Sequence, residues 1–198
     1  MKTTLSIAIA LSLGLTSVAL AGDAKAPAPA AADKKEAPKK MEAPKPPQEL
    51  ADMGKMMAGT WKCTGKAVQD PTKPTEMTDM KMTVKMAMDM GGWWMKSTMD
   101  AGAMFKGEEY VTYDSQAKKF ISIMRDSMGA SEMKTSMGVK DNKIVWEGDA
   151  RSSMPMMASL KSRATSDMSD AKAGVKMTGE YSMDGKTWMK AWEAVCKK

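Results

Sequence analysis

Alternation with a period of two dominates the chain from residue 60 onward. It is clearest between Lys81 and Met90. There Met82, Val84, Met86, Met88 and Met90 share one face, and Lys81, Thr83, Lys85, Ala87 and Asp89 share the other. Successive side chains of an extended strand point to opposite faces, so the pattern predicts a strand with one buried side. Gly91-Gly92 then predicts a two-residue hairpin connection, with the return strand starting at Trp93 and running towards Met99. The same reading places strands at 60–68, 106–113, 119–125, 132–139, 143–149, 158–165, 175–183 and 187–196. The segment from Asp114 to Lys118, Asp141-Asn142 and Asp184-Gly185 supply turn signals between them. Only residues 49–57, where Leu50, Met53 and Met57 recur at helical spacing, read as a short helix.

About ten short strands with regular turn signals predict an all-β, antiparallel barrel or sandwich. A closed barrel is favoured, because the first and last strands then pair and neither leaves an open edge.

Two segments stand apart from this pattern. The first 21 residues carry Lys2, an apolar stretch from Leu5 to Leu15 and the small-x-small motif Ala19-Leu20-Ala21. They read as a cleavable secretory signal, which places the protein in the periplasm or outside the cell. Residues 22–47 hold six of the nine prolines, many alanines, and the pairs Lys34-Lys35 and Lys39-Lys40. Such a segment has too little apolar surface to offset its ordering entropy and reads as a solvated, semi-stiff linker. The strand-forming domain is therefore expected at 48–198. No second apolar run is long enough for a membrane-spanning helix.

Composition narrows the function classes. The chain has no histidine, which removes Ser-His-Asp and Cys-His catalysis, His-containing zinc sites and a His-ligated haem. There is no Gly-x-Ser-x-Gly elbow, phosphate loop or dinucleotide fingerprint. Asp126, Glu132 and Asp149 flank strands without the spacing of a general acid–base pair. A non-enzymatic role is expected. The formal charge is +6, but the domain alone carries 23 basic and 20 acidic residues. That mixed surface lacks the basic stripe of a nucleic-acid binder.

The two cysteines fall on the expected first and last strands. Cys63 shares its face with Trp61, and Cys196 shares its face with Trp192. In an oxidising compartment, pairing is favoured over two separate buried thiols.

Several motifs carry a family resemblance. Met57-Ala58-Gly59-Thr60-Trp61, Gly91-Gly92-Trp93-Trp94, the run from Glu108 to Asp114, and Arg125-Asp126-Ser127-Met128-Gly129 together resemble the bacterial domain-of-unknown-function family 1579 (DUF1579). The resemblance extends over about residues 48–198. It implies a small calycin-like (lipocalin-like) β-barrel and brings no assigned activity. The chain departs from the family in its methionine content and in Arg125, where a hydrophobic residue is common.

A barrel of this strand number has room for one ligand inside. The expected function is therefore binding of a small apolar molecule, with no cofactor. From the strand faces, the pocket is expected to draw on Trp61, Met86, Met88, Trp93, Met95, Trp146, Tyr181 and Trp192, with Glu109, Tyr113 and Arg125 as polar contributors. The domain holds 23 methionines against twelve valines, isoleucines and leucines together. Methionine must therefore supply much of the apolar interior, where its flexible thioether fills irregular space. Two alternatives use the same sulfurs. Met154, Met156 and Met157, beside Pro155, are candidate thioether ligands for Cu(I). Exposed methionines are candidate oxidant scavengers. A filled barrel serving as a structural or interaction module is the remaining alternative.

Overall fold

The structure, a computed structural model, describes residues 43–70, 73–152, 159–170 and 172–198. The expected leader, the linker up to residue 42, and Met154, Met156 and Met157 lie outside the described residues.

One helix, α1 (Gln48–Met57), precedes a meander of β1 (Gly59–Val68), β2 (Met77–Asp89), β3 (Trp94–Asp100), β4 (Lys106–Asp114), β5 (Lys119–Asp126), β6 (Ser131–Ser136), β7 (Val139–Lys140), β8 (Lys143–Arg151), β9 (Leu160–Asp167), β10 (Val175–Ser182) and β11 (Met189–Lys197). Every pairing is antiparallel. The first and last strands are neighbours, and β6 also pairs with β8, so ten strands close into a ring. The two-residue β7 continues the β6 side of the hairpin against the start of β8. The expected single strand over 132–139 is interrupted at Met137-Gly138, where Gly138 takes φ 87°.

Closure needs tight curvature at its seams. On β8, Gly148 faces Lys134 of β6, and a Cβ there would strike the Met133 carbonyl oxygen. On β1, a Cβ at Gly65 would strike the Glu193 carbonyl of β11. Glycine lets the partner backbone come close where the sheet bends sharply. Beside the second seam, Cys63 and Cys196 are direct cross-strand partners and form a disulfide, which closes a sequence separation of 133 residues.

Helix α1 covers one end of the barrel and packs on β2, β3 and β4. Leu50 is fully buried and Met53 nearly so, in a cluster with Met95, Val111, Phe120 and Ile144. Burying a leucine of this kind contributes roughly 1.5–3 kcal/mol. The Trp61 indole N–H donates to the Met57 carbonyl at 2.8 Å, which ties the end of the helix to β1. Asp52 accepts from Gln48 and Lys55, one turn either side, on the exposed face.

Two turns differ from expectation. Asp89 pairs with Trp94, so the β2–β3 connection has four residues, Met90 to Trp93. Met90, Gly91 and Gly92 all take positive φ (47°, 66° and 94°), and Trp93 remains in the turn instead of starting the strand. The β10–β11 connection is also longer than a two-residue turn. The Asp184 carboxylate accepts from the Lys186 and Thr187 backbone N–H groups and from the Ser182 and Thr187 hydroxyls, which organises residues 183–188. These bonds, led by the backbone donors, hold its carboxyl well below the usual range. Asp141-Asn142, by contrast, forms the expected two-residue hairpin, with φ 51° and 59° between the pair Lys140 and Lys143.

The disulfide fixes the junction of the first and last strands. By loop entropy, replacing both cysteines with serine is expected to lower unfolding free energy by about 4–5 kcal/mol. Urea denaturation of the oxidised protein and of the Cys63→Ser/Cys196→Ser variant measures this.

Candidate functional site

Inside the ring, the inward faces of the strands enclose a cavity of about 550 Å³. The helix end is plugged by the Leu50 cluster. Residues from the connections at the other end, including Gln69, Met104, Phe105 and Met128, also line the cavity. The wall is rich in thioethers: Met80, Met82, Met86, Met95, Met99 and Met177 come from β2, β3 and β10. Lys81 and Lys85 point to the exposed face of β2, while Met82 and Met86 are half-buried and Val84 is buried. Methionine nevertheless divides between the two sides of the sheet. Met133, Met137 and Met183 are 59%, 72% and 69% exposed.

Of the residues expected at the pocket, Trp61, Met86, Met95, Glu109, Trp146, Tyr181 and Trp192 line it. The Trp192 indole lies over Gly179 of β10, where a side chain would collide with it. Four residues lie elsewhere. The Met88 sulfur sits against Gly54 of the helix, beyond the end of the cavity. Trp93 is 37% exposed in the β2–β3 turn. Tyr113 packs edge-on to Phe120 at 4.9 Å between ring centroids, within the plug. Arg125 is on the outer surface, because the turn at 115–118 sets Glu108 opposite Arg125 and Glu109 opposite Met124. Its guanidinium donates to Glu108 Oε2 at 2.7 Å, and Lys96 reaches the other oxygen at 3.0 Å.

The sequence reading did not place the ionic groups of β6 in the cavity wall. Glu132 and Lys134 both line the cavity at 7% exposure and form an ion pair, with Nζ 2.5 Å from Oε2. The other Glu132 oxygen accepts from the Tyr181 hydroxyl at 2.8 Å, across the barrel wall from β10. Glu109 Oε1 accepts from the buried Ser122 hydroxyl. Ser162 of β9 also lines the cavity at 3% exposure. One sequence signal for this patch is the small-residue alternation Ser162, Ala164 and Ser166, which all face the cavity.

Electrostatics hold the patch together. Burial opposes the charge on Lys134, but attraction to Glu109 and Glu132 outweighs it, so its pKa is raised. Burial, reinforced by the Glu132 carboxylate, also raises that of Tyr181. The ammonium and the neutral phenol are thus the forms the fold selects. Removing one partner of such a buried pair costs about 3–5 kcal/mol, because the other charge is left uncompensated. Among the described residues, no cluster of three or more His, Cys, Asp or Glu side chains is arranged to hold a metal ion.

Residues 46–198 match the model of a family described as a protein of unknown function, DUF1579. The chain belongs to this family. No curated protein matches it. Among solved structures, this DUF1579 protein is similar to the crystal structure of Rv2717c from M. tuberculosis, with a TM-score of 0.54. The match covers 77% of this chain and 98% of that one. At 14% sequence identity the likeness is one of fold alone.

The raised pKa values give a pH signature. A lysine whose folded pKa lies above its unfolded value, about 10.4, stabilises fully below that pH and loses the contribution as pH rises towards the folded pKa. Tyr181 has the same sign, because its neutral form is favoured by the fold. Unfolding free energy is expected to be level from roughly pH 7 to 9.5, then to fall by up to about 1.4 kcal/mol per pH unit for each group. Urea titrations across this range check it, and Tyr181→Phe is expected to make the alkaline slope shallower.

Proposed function

We propose that the protein is an exported, non-enzymatic binding protein that holds a small apolar ligand inside its barrel. The observation that carries this reading is the cavity of about 550 Å³ with thioether and indole side chains in its wall. That volume lies within the range of small-molecule sites, which are mostly apolar with a few placed polar groups. Thioether side chains adapt their shape to an apolar guest more readily than branched aliphatics do. Export is supported by the leader pattern of residues 1–21, and the Cys63–Cys196 disulfide is compatible with it. The lack of histidine and of a nucleophile–base motif supports binding over catalysis.

The test fills the cavity. Ala164 is part of the wall, between Trp146 of β8 and Gly179 of β10. Ala164→Trp puts an indole into the space, at an overpacking cost of about 1–3 kcal/mol. Titration with the neutral fluorophore N-phenyl-1-naphthylamine is expected to show saturable binding by the native protein. Ala164→Trp is expected to weaken it by about tenfold or more. The outward Ala87→Trp is expected to leave it unchanged. Absence of binding by the native protein, or undiminished binding by a folded Ala164→Trp variant, overturns the reading.

A further inference from the structure

The cavity wall is not uniformly apolar, and several of its buried polar residues share one cross-strand row. Lys134 of β6, Gly148 of β8, Ser162 of β9 and Tyr181 of β10 are successive cross-strand partners. The side chains of Lys134, Ser162 and Tyr181 thus form one row around the barrel, and at Gly148 the β6 backbone takes the space a side chain would need. Ser122 of β5 continues the row on the far side of Lys134, and Glu109 reaches it from β4.

Two features of this row point to a ligand. The first is an orphan. Among the described residues, Ser162 Oγ is the buried side-chain polar atom without a hydrogen-bond partner. Buried polar groups are almost always paired, so an unpaired hydroxyl in a cavity wall marks a place for a polar atom of a guest. The second is the charge balance. Glu109 and Glu132 face a single ammonium, Lys134, which makes its ion pair with Glu132. Glu109 is held by a hydroxyl and by longer-range attraction to Lys134. An anionic group entering here meets an excess of carboxylate in a low-dielectric interior, where like charges repel strongly. A group that donates a hydrogen bond meets acceptors in the Ser162 hydroxyl and in the carboxylates of the same wall.

We infer that the polar end of the ligand docks at Ser162, in the row that also holds Lys134 and the two carboxylates, and is a non-anionic hydrogen-bond donor, an alcohol or amine, on an apolar body. This rests on the binding function proposed above and specifies its ligand class. The apolar body lies along the methionine and tryptophan wall, and the donor satisfies Ser162 Oγ. The barrel thus discriminates against fatty carboxylates of the same length.

The test uses the folded, oxidised full chain at near-neutral pH, with N-phenyl-1-naphthylamine bound. Displacement is compared for dodecanol, dodecylamine and dodecanoate, each kept below its aggregation limit. Dodecanol and dodecylamine are expected to displace the probe at concentrations about tenfold lower than dodecanoate. Ser162→Ala is expected to weaken dodecanol by about fivefold relative to dodecanoate, each affinity being corrected for the variant's own affinity for the probe. Glu109→Gln is expected to narrow the gap between dodecanol and dodecanoate. Displacement by dodecanoate as good as or better than by the alcohol overturns the assignment and leaves the apolar cavity reading intact. Equal dodecanol affinity in a folded Ser162→Ala variant also overturns it. Failure of the probe itself to bind overturns both readings.

Discussion

The pairing of β6 with β8 is the constraint on which the rest of the structure depends. Without it the meander is an open sheet with a polar inner row, including Glu132 and Lys134, along one edge. With it the strands form a ring and those charges become interior groups. The sharp approach at Gly148 is what permits the pairing, and the disulfide beside Gly65 secures the opposite seam. Both seams use glycine where a side chain would collide with the partner strand.

Closure also explains how so few branched aliphatics sustain a domain of this size. The helix and its cluster of Leu50, Val111, Phe120 and Ile144 form a compact plug at one end, where close packing is needed. Beyond the plug, thioethers and indoles border a space instead of filling it. Several of these methionines are half-buried because they face the cavity. The buried Glu132–Lys134–Tyr181 network contributes a different property. Such a network adds little net stability but is costly to break, so it holds β6 and β10 in register around the cavity.

Most of the fold is legible in the sequence because period-two alternation and turn residues agree along most of the chain. Met82, Val84 and Met86 point inward as their spacing requires, and Asp141-Asn142 takes the left-handed conformation its hairpin needs. What was not legible is decided by side-chain capping and by pairing. Asp184 gathers donors from three later or earlier residues and lengthens its loop, an effect that the Asp-Gly pair alone does not reveal. Three positive-φ residues in succession keep Trp93 in a turn. Arg125 is placed by a register set at residues 114–119, and there a shift of one residue reverses every face. On β6 the usual polarity is inverted. Met133 faces solvent while Glu132 and Lys134 face the interior, because Ser122 and Gly148 are the partners of Lys134 on either side. Hydrophobicity along the strand points the other way, and the Glu109 carboxylate and the Tyr181 hydroxyl, both remote in sequence, help to stabilise the observed choice.

The central claim is that one set of methionines lines the hidden side of a closed sheet while another set lies on its surface. Brief exposure of the native protein to dilute peroxide, followed by peptide mass mapping, measures this directly. Met53, Met80 and Met95, all at most 8% exposed, are expected to oxidise at least about tenfold more slowly than Met90, Met137 and Met183. The difference is expected to vanish in urea. Equal rates for Met80 and Met137 in the folded protein would contradict the account.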